Sequence, residues 1–192
     1  MAAPKQDRGA LLNLKVTLLG TDPPVWRRFE VLDFITLEDL HFVLQHVMGW
    51  DDAHLHQFFS GKVRYGIPSP NHYDDKMQDE SDFLLSDFFK RKGSKLRYEY
   101  DFGDSWLHEI VLESKRPAPS GHTHPVCLNG MRNCPPEDVG GVWGYAEIIE
   151  AMSNPQDPRY REFEEWLGGP YDPDHFDLEE VNQILSAMSY TP

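Results

Sequence analysis

The stretch Lys95-Leu96-Arg97-Tyr98-Glu99-Tyr100-Asp101-Phe102-Gly103-Asp104-Ser105-Trp106-Leu107-His108-Glu109-Ile110-Val111-Leu112 carries the fold class. Residues alternate from Lys95 to Tyr100 and again from Trp106 to Leu112, the period of a half-buried strand. Asp101 to Ser105 is a short glycine-containing loop between them, so the spacing predicts an antiparallel hairpin. Regular alternation puts Trp106, His108 and Ile110 on one face.

Upstream, residues 11–19 alternate with Leu12, Leu14, Val16 and Leu18 on one face, and Gly20 to Pro24 is a turn by composition. A second strand, Val25 to Leu32, turns Val25, Phe29 and Val31 inward. Arg27 shares that face and needs a carboxylate partner or a route to solvent. Thr36 then caps a helix with Asp39 in the capping-box position; Leu37, Leu40, Leu44, Val47 and Met48 form its stripe, and Gly49 closes it. His41 adjoins the stripe and reads as a packed helix histidine. Residues 54–59 read as a strand with His54, His56 and Phe58 on one side, residues 66–82 as a long loop, and Leu84 to Phe89 as one helical turn.

Downstream, residues 115–141 read as irregular. Three helical patterns follow: Tyr145, Ile148, Ile149 and Met152; then Tyr160, Phe163, Trp166 and Leu167, ending at Gly168-Gly169; then Leu178, Val181, Ile184, Leu185 and Met188 behind an Asp177 cap with Glu180 in the box position. Strands first and helices last argue for an α+β fold, an antiparallel sheet with helices packed on one face and an all-helical C-terminal part. Residues 1–10 are expected to be a disordered N-terminus without the apolar core of a secretion signal, and residues 11–190 a single domain.

The chain has 192 residues, 40% of them hydrophobic, enough for a sizeable core. No apolar run approaches the roughly 20 residues that span a bilayer. Two cysteines cannot build a disulfide scaffold, and the expected location is the cytoplasm. Residues 137–192 hold 13 acidic residues against 2 basic ones, whereas residues 1–136 hold 19 against 16. Such a field repels phosphate backbones, so tight duplex DNA binding is not expected. The main exception is Lys90-Arg91-Lys92 with Lys95 and Arg97, a weak nucleic-acid contact or, more simply, a solvated turn.

The standard catalytic signatures are missing: no G-x-S-x-G elbow, Walker loop, H-E-x-x-H pair or G-x-G-x-x-G. Four local constellations remain. His54-Leu55-His56 matches the metal-binding triplet of some nickases, although two histidines sharing a strand face is the plainer account. Cys127 and Cys134 are too widely spaced for an ordinary zinc pair and read as reduced, metal-free thiols. Asp101, Asp104 and His108 surround the hairpin turn, where they suit a hard cation or acid–base chemistry, while turn bonding gives the aspartates a structural use. Glu137 and Asp138 sit in the stiff Pro135-to-Gly141 loop, where acids also favour a following helix dipole.

Together, several segments resemble one family in order: Val25-Trp26-Arg27-Arg28; Met48-Gly49-Trp50-Asp51-Asp52 with His54-Leu55-His56; Tyr98 to Trp106; Cys134 to Gly141 with Gly144-Tyr145; and Trp166-Leu167-Gly168-Gly169 through Asp172-Pro173, Phe176-Asp177 and Asn182. The sequence is similar to the plasmid pRiA4b ORF-3-like family over roughly residues 11–186. Some members of that family are known as resolvase-like passengers of a bacterial insertion element. The resemblance implies an α+β domain of bacteria and archaea, often on mobile elements, with no established activity. This chain lacks a serine-recombinase signature. Many members carry a third cysteine where this chain has Val139, which weakens the case for zinc here.

Two functions follow as expectations. The first is an accessory domain of a mobile element acting through an unknown protein partner, with Arg27, Trp106 and Tyr145 as candidate partner or anion contacts. The alternative is a metal-dependent hydrolase or nuclease built on Asp101, Asp104, His108, Glu137 and Asp138, with a divalent metal as its cofactor. Four carboxylates in two loops exceed what turns need. The hairpin tip and the Pro135–Gly141 loop are therefore predicted to line one cleft near His108, with Arg27 or a divalent metal compensating their charge.

Overall fold

The computed structural model describes residues 9–68 and 76–191. Its elements are β1 (Ala10–Leu18), β2 (Trp26–Leu32), α1 (Leu37–Met48), β3 (His56–Ser60), β4 (Val63–Gly66), β5 (Met77–Asp79), a 3-10 turn (Glu80–Asp82), α2 (Leu85–Phe88), β6 (Lys95–Tyr100), β7 (Trp106–Pro117), β8 (Val126–Met131), α3 (Gly141–Met152), α4 (Tyr160–Leu167) and α5 (Leu178–Leu185). Among the described residues the strands form one eight-stranded sheet in the order β5-β4-β3-β6-β7-β1-β2-β8.

The class is α+β, but two expectations are corrected. The sheet is mixed, because β5 runs parallel to β4. The C-terminal part is not all helical, because β8 pairs antiparallel with β2 before the three helices begin. Asn129 and Gly130 dilute the strand pattern of β8, and its register shifts opposite Arg28 and Phe29, so no alternation shows in the sequence. β5 and the 3-10 turn also replace part of the loop read over 66–82, whose residues 69–75 lie outside the described residues. The N-terminus expected to be disordered is residues 1–10; residues 1–8 lie outside the described residues too, whereas Ala10 already belongs to β1.

The hairpin forms as the alternation requires, with Lys95 opposite Val111 and Tyr100 opposite Trp106. The inward face of the sheet carries Leu14, Val16, Leu18, Phe29, Val31, Leu96, Tyr98, Tyr100, Trp106, Ile110 and Leu112, all buried. The apolar stripe of α1 is buried in the same core, and each such side chain contributes about 1.5–3 kcal/mol. Helix α1 starts as predicted: Asp39 N–H donates to Thr36 Oγ1 (3.1 Å) while Thr36 N–H donates to Asp39 Oδ2 (2.9 Å). Gly49, at φ 98°, ends it in the left-handed conformation that favours glycine.

Arg27 is buried in this core without a carboxylate. Its Nε donates to Val47 O (2.7 Å) and its Nη1 to the carbonyls of Trp26 and Met131 (both 2.9 Å). Val47 O belongs to the last turn of α1, where the helix dipole favours a cation. The guanidinium also lies 4.3 Å from the centroid of the Phe176 ring. On the outer edge, Asn182 of α5 acts as a substitute strand. Its amide accepts from Cys127 N–H (2.8 Å) and donates to Cys127 O (2.9 Å), covering an otherwise open sheet edge.

Candidate metal centre

The hairpin tip is built on two left-handed residues, Asp101 (φ 56°) and Ser105 (φ 54°), with Ser105 N–H donating to Asp101 O at 2.6 Å. Asp101 Oδ1 accepts from Gly103 N–H (2.8 Å), the turn bond that aspartate makes readily. Asp101 N–H donates to Leu55 O (2.9 Å), which ties the residues ahead of β3 to the tip. The second acidic loop docks on the same tip: Gly140 N–H donates to Asp104 Oδ2 (3.1 Å). The chains come so close at Gly141 that a Cβ there would stand 2.5 Å from Asp104 O. The predicted meeting of the two loops is therefore present.

The imidazole they meet is that of His54. Its Nε2 lies 3.3 Å from Asp138 Oδ1, 3.7 Å from Glu137 Oε2 and 3.8 Å from Asp101 Oδ2. His54 Nε2 and Glu137 Oε2 are both buried and have no hydrogen-bond partner. The other oxygens of Glu137 and Asp101 are held from behind. Glu137 Oε1 accepts from Tyr100 O–H (3.0 Å) and from Asp51 N–H (3.2 Å), as Asp101 Oδ1 does from Gly103. Burial and the neighbouring Glu137 carboxylate push the Tyr100 phenol above its ordinary range, so it stays a proton donor. One oxygen of each of these two carboxylates is thus fixed by the protein and the other faces His54, the arrangement by which outer partners aim a metal ligand.

The spacing has a physical reading. A four-coordinate ion with bonds of about 2.0–2.2 Å sets its ligand atoms about 3.3–3.6 Å apart. The 3.3 Å separation of His54 Nε2 from Asp138 falls in that range, and those from Glu137 (3.7 Å) and Asp101 (3.8 Å) lie slightly beyond it. Even a charged imidazole leaves two negative charges uncompensated among three carboxylates. Asp101 and Asp138 both hold φ 56°, the left-handed conformation that is uncommon outside glycine.

Several candidates fall elsewhere. His108 is fully buried, edge-on to Trp50 (5.3 Å between ring centroids) and tilted against Tyr98 (5.4 Å). Burial lowers its pKa to about 4, so it is a neutral core ring. Arg27 is committed to the backbone carbonyls of Trp26, Val47 and Met131 and does not reach the cluster. Trp106 is a core residue, and Tyr145 is buried with its hydroxyl donating to Asn133 O (3.2 Å). Cys127 and Cys134 are free, buried thiols, and burial pushes both above the ordinary thiol range.

The His54-Leu55-His56 triplet does not share a strand face, because β3 begins only at His56. His56 Nε2 faces both oxygens of Glu80 (2.9 and 3.0 Å), and its ring stacks on His41 with centroids 3.4 Å apart. His41, Asp52 and His56 are a second grouping with ligand-type atoms close together. Hydrogen bonding already satisfies His41, however. Tyr98 O–H takes a hydrogen from Gln45 Nε2 (3.0 Å) and gives its own to His41 Nδ1 (2.8 Å), leaving His41 Nε2–H to donate to Asp52 Oδ1 (2.8 Å). A metal at Nε2 would put the proton on Nδ1 and strand the phenol. In the other cluster His54 Nε2 makes no hydrogen bond of that kind, its nearest carboxylate being Asp138 at 3.3 Å.

The geometry can be set beside known proteins. Among the described residues no helix is long and apolar enough to cross a membrane. The chain is 38% identical over 181 residues to the uncharacterized protein y4hQ of Sinorhizobium fredii, covering 94% of this chain and 93% of that one. The crystal structure of a protein of unknown function, MM3350 from Methanosarcina mazei Go1, superposes with a TM-score of 0.80 at 36% identity, covering 90% of this chain and 97% of the other. The family profile described as plasmid pRiA4b ORF-3-like protein matches residues 10–180, across the sheet, both loops of the cluster, α3, α4 and the start of α5, and the chain belongs to that family.

Proposed function

We propose that this protein binds one divalent cation at His54, Asp101 and Asp138, whose ligand atoms all lie within 4.8 Å of one another, with Glu137 beside His54, and uses it to activate water for hydrolysis. The observation that carries the reading is the facing pair of buried atoms without hydrogen-bond partners, His54 Nε2 and Glu137 Oε2, 3.7 Å apart. One imidazole and three carboxylates suit Mn²⁺, Zn²⁺ or Fe²⁺ better than a purely oxygen-seeking ion. The side chain of Asp138 is 72% exposed, so water would reach an ion held beside it. A metal-held water loses its proton far more readily than free water. Asp104 holds the two loops together, and Tyr100 is a positioning residue for Glu137. The strongly acidic C-terminal part argues against a nucleic-acid substrate.

Metal analysis and calorimetry with Mn²⁺ and Zn²⁺ test this, followed by assays on ester and amide substrates. One equivalent of metal is expected, with a raised melting temperature that His54→Ala and Glu137→Gln both abolish. Equal metal binding by His54→Ala, or none by the parent, would sink the reading. A second reading, the accessory domain acting through a protein partner, draws support from Trp143 in the first turn of α3, which is 82% exposed. A cytoplasmic setting suits either reading, because both buried thiols are free.

A further inference from the structure

We propose that the hollow beside Asp138 seats a lysine or arginine side chain, making a basic peptide the substrate class of the metal centre; this rests on the hydrolytic reading above. The hollow, about 290 Å³, is lined by Asp138, Val139, Glu162, Phe163 and Trp166. Asp138 therefore belongs to both the cluster and the hollow, so an occupant lies directly beside the ion. Phe163 and Trp166 stand three residues apart on α4, a helix that buries none of its residues, and Trp166 is 52% exposed.

Its surroundings define the guest. An indole face attracts ammonium and guanidinium groups, and the aliphatic stem of a lysine or arginine covers apolar surface while its head stays near carboxylates. Glu162 and Asp138 supply those carboxylates. The wider field has the same sign, with net charge −11 over residues 137–192, and Arg159 is already engaged by Asp157 (2.8 Å) and Glu150 (2.9 Å). Anionic substrates are repelled there. His54, Asp101 and Asp138 would hold the ion, which would supply a readily deprotonated water beside the seated side chain. Hydrolysis of a peptide bond there would form a C–O bond from that water, break the C–N bond and leave the water's proton on the departing amine, which balances as addition of one water.

The test is binding of heptapeptides carrying a central lysine, arginine or glutamate to the full chain, followed by tryptophan fluorescence and calorimetry with and without Mn²⁺. Spermine serves as the non-peptide cation. Lysine and arginine peptides are expected to bind and the glutamate peptide not to. Trp166→Ala and Glu162→Gln should each weaken binding about tenfold, Trp166→Phe should retain most of it, and Mn²⁺ affinity should stay at the parent value in all three. His54→Ala should keep peptide affinity while losing Mn²⁺, which separates failure of the seat from failure of the metal centre. Unchanged peptide affinity in both Trp166→Ala and Glu162→Gln, equal binding of the glutamate peptide, or tighter binding of spermine than of either basic peptide would each overturn the proposal.

Discussion

His54, His56 and His108 lie around the paired strands β3, β6 and β7, and their surroundings give each a different task. His54 Nε2 points at three carboxylates, His56 pairs with Glu80, and His108 is sealed in the core. Burial lowers the pKa of His108 to about 4 from the ordinary 6.5. The folded protein therefore holds fewer protons than the unfolded chain between those values, and this stability is complete above pH 6.5 and lost as pH falls toward 4. His41 adds in the same direction, lowered to about 4 by burial and by its neighbour His56. Replacing His108 by Phe keeps a ring against Trp50 and removes one titrating group. Urea denaturation should show the parent losing about 2 kcal/mol more than this variant between about pH 7 and pH 5. Equal losses would mean that His108 is not a buried neutral ring.

Among elements, the junction between the hairpin tip and the start of α3 decides whether the cluster exists, and two adjacent glycines there separate conformation from space. At Gly140 (φ 87°) an added Cβ would meet nothing within 4 Å, whereas at Gly141 (φ 69°) it would fall 2.5 Å from the Asp104 carbonyl oxygen. Gly140→Ala should cost about 1–2 kcal/mol, the left-handed penalty alone. Gly141→Ala should cost more and also weaken metal binding, because the loop carrying Glu137 and Asp138 must move off Asp104. Thermal melts and Mn²⁺ calorimetry on both variants check this; equal stability and metal affinity would show that the junction does not position the cluster. The hairpin half of this junction is legible in the sequence because its alternation is clean and its loop contains glycine. So is the meeting of the loops, from four carboxylates in excess of turn needs. The identity of the imidazole is not. Alternation across residues 54–59 puts His54 and His56 on one strand face, but the strand starts only after Leu55, and the hydrogen bond from Asp101 to Leu55 turns His54 toward the tip. Arg27 misleads in a different way: its charge is met by carbonyls and a helix end, partners that leave no mark in side-chain chemistry.

Across the whole molecule, charge is divided between the parts of the chain, and that division predicts what it will not bind. Residues 1–136 are nearly neutral, and several of their basic residues pair with sheet acids: Arg28 with Glu113 (2.6 Å), Lys95 with Glu109 (3.0 Å) and Arg116 with Glu30 (2.8 Å). Lys90, Arg91 and Lys92 occupy an exposed turn before β6, closed by Ser94 Oγ–H donating to Arg91 O at 2.7 Å. Phosphate affinity scales with the number of cations that displace counterions, and one three-residue turn offers few beside a C-terminal part of net charge −11. Duplex DNA should therefore bind no more tightly than about 10⁻⁶ M near physiological salt, the tight end of ordinary non-specific binding. Fluorescence anisotropy with a labelled duplex across a salt series measures this directly. A submicromolar complex that weakens steeply with salt and disappears when Lys90, Arg91 and Lys92 are changed together to glutamine would show that the turn outweighs the field. The same series with a basic peptide should show binding at low salt through the acidic helices that weakens as salt rises, so the contrast between the two ligands locates the surface on which this domain meets them.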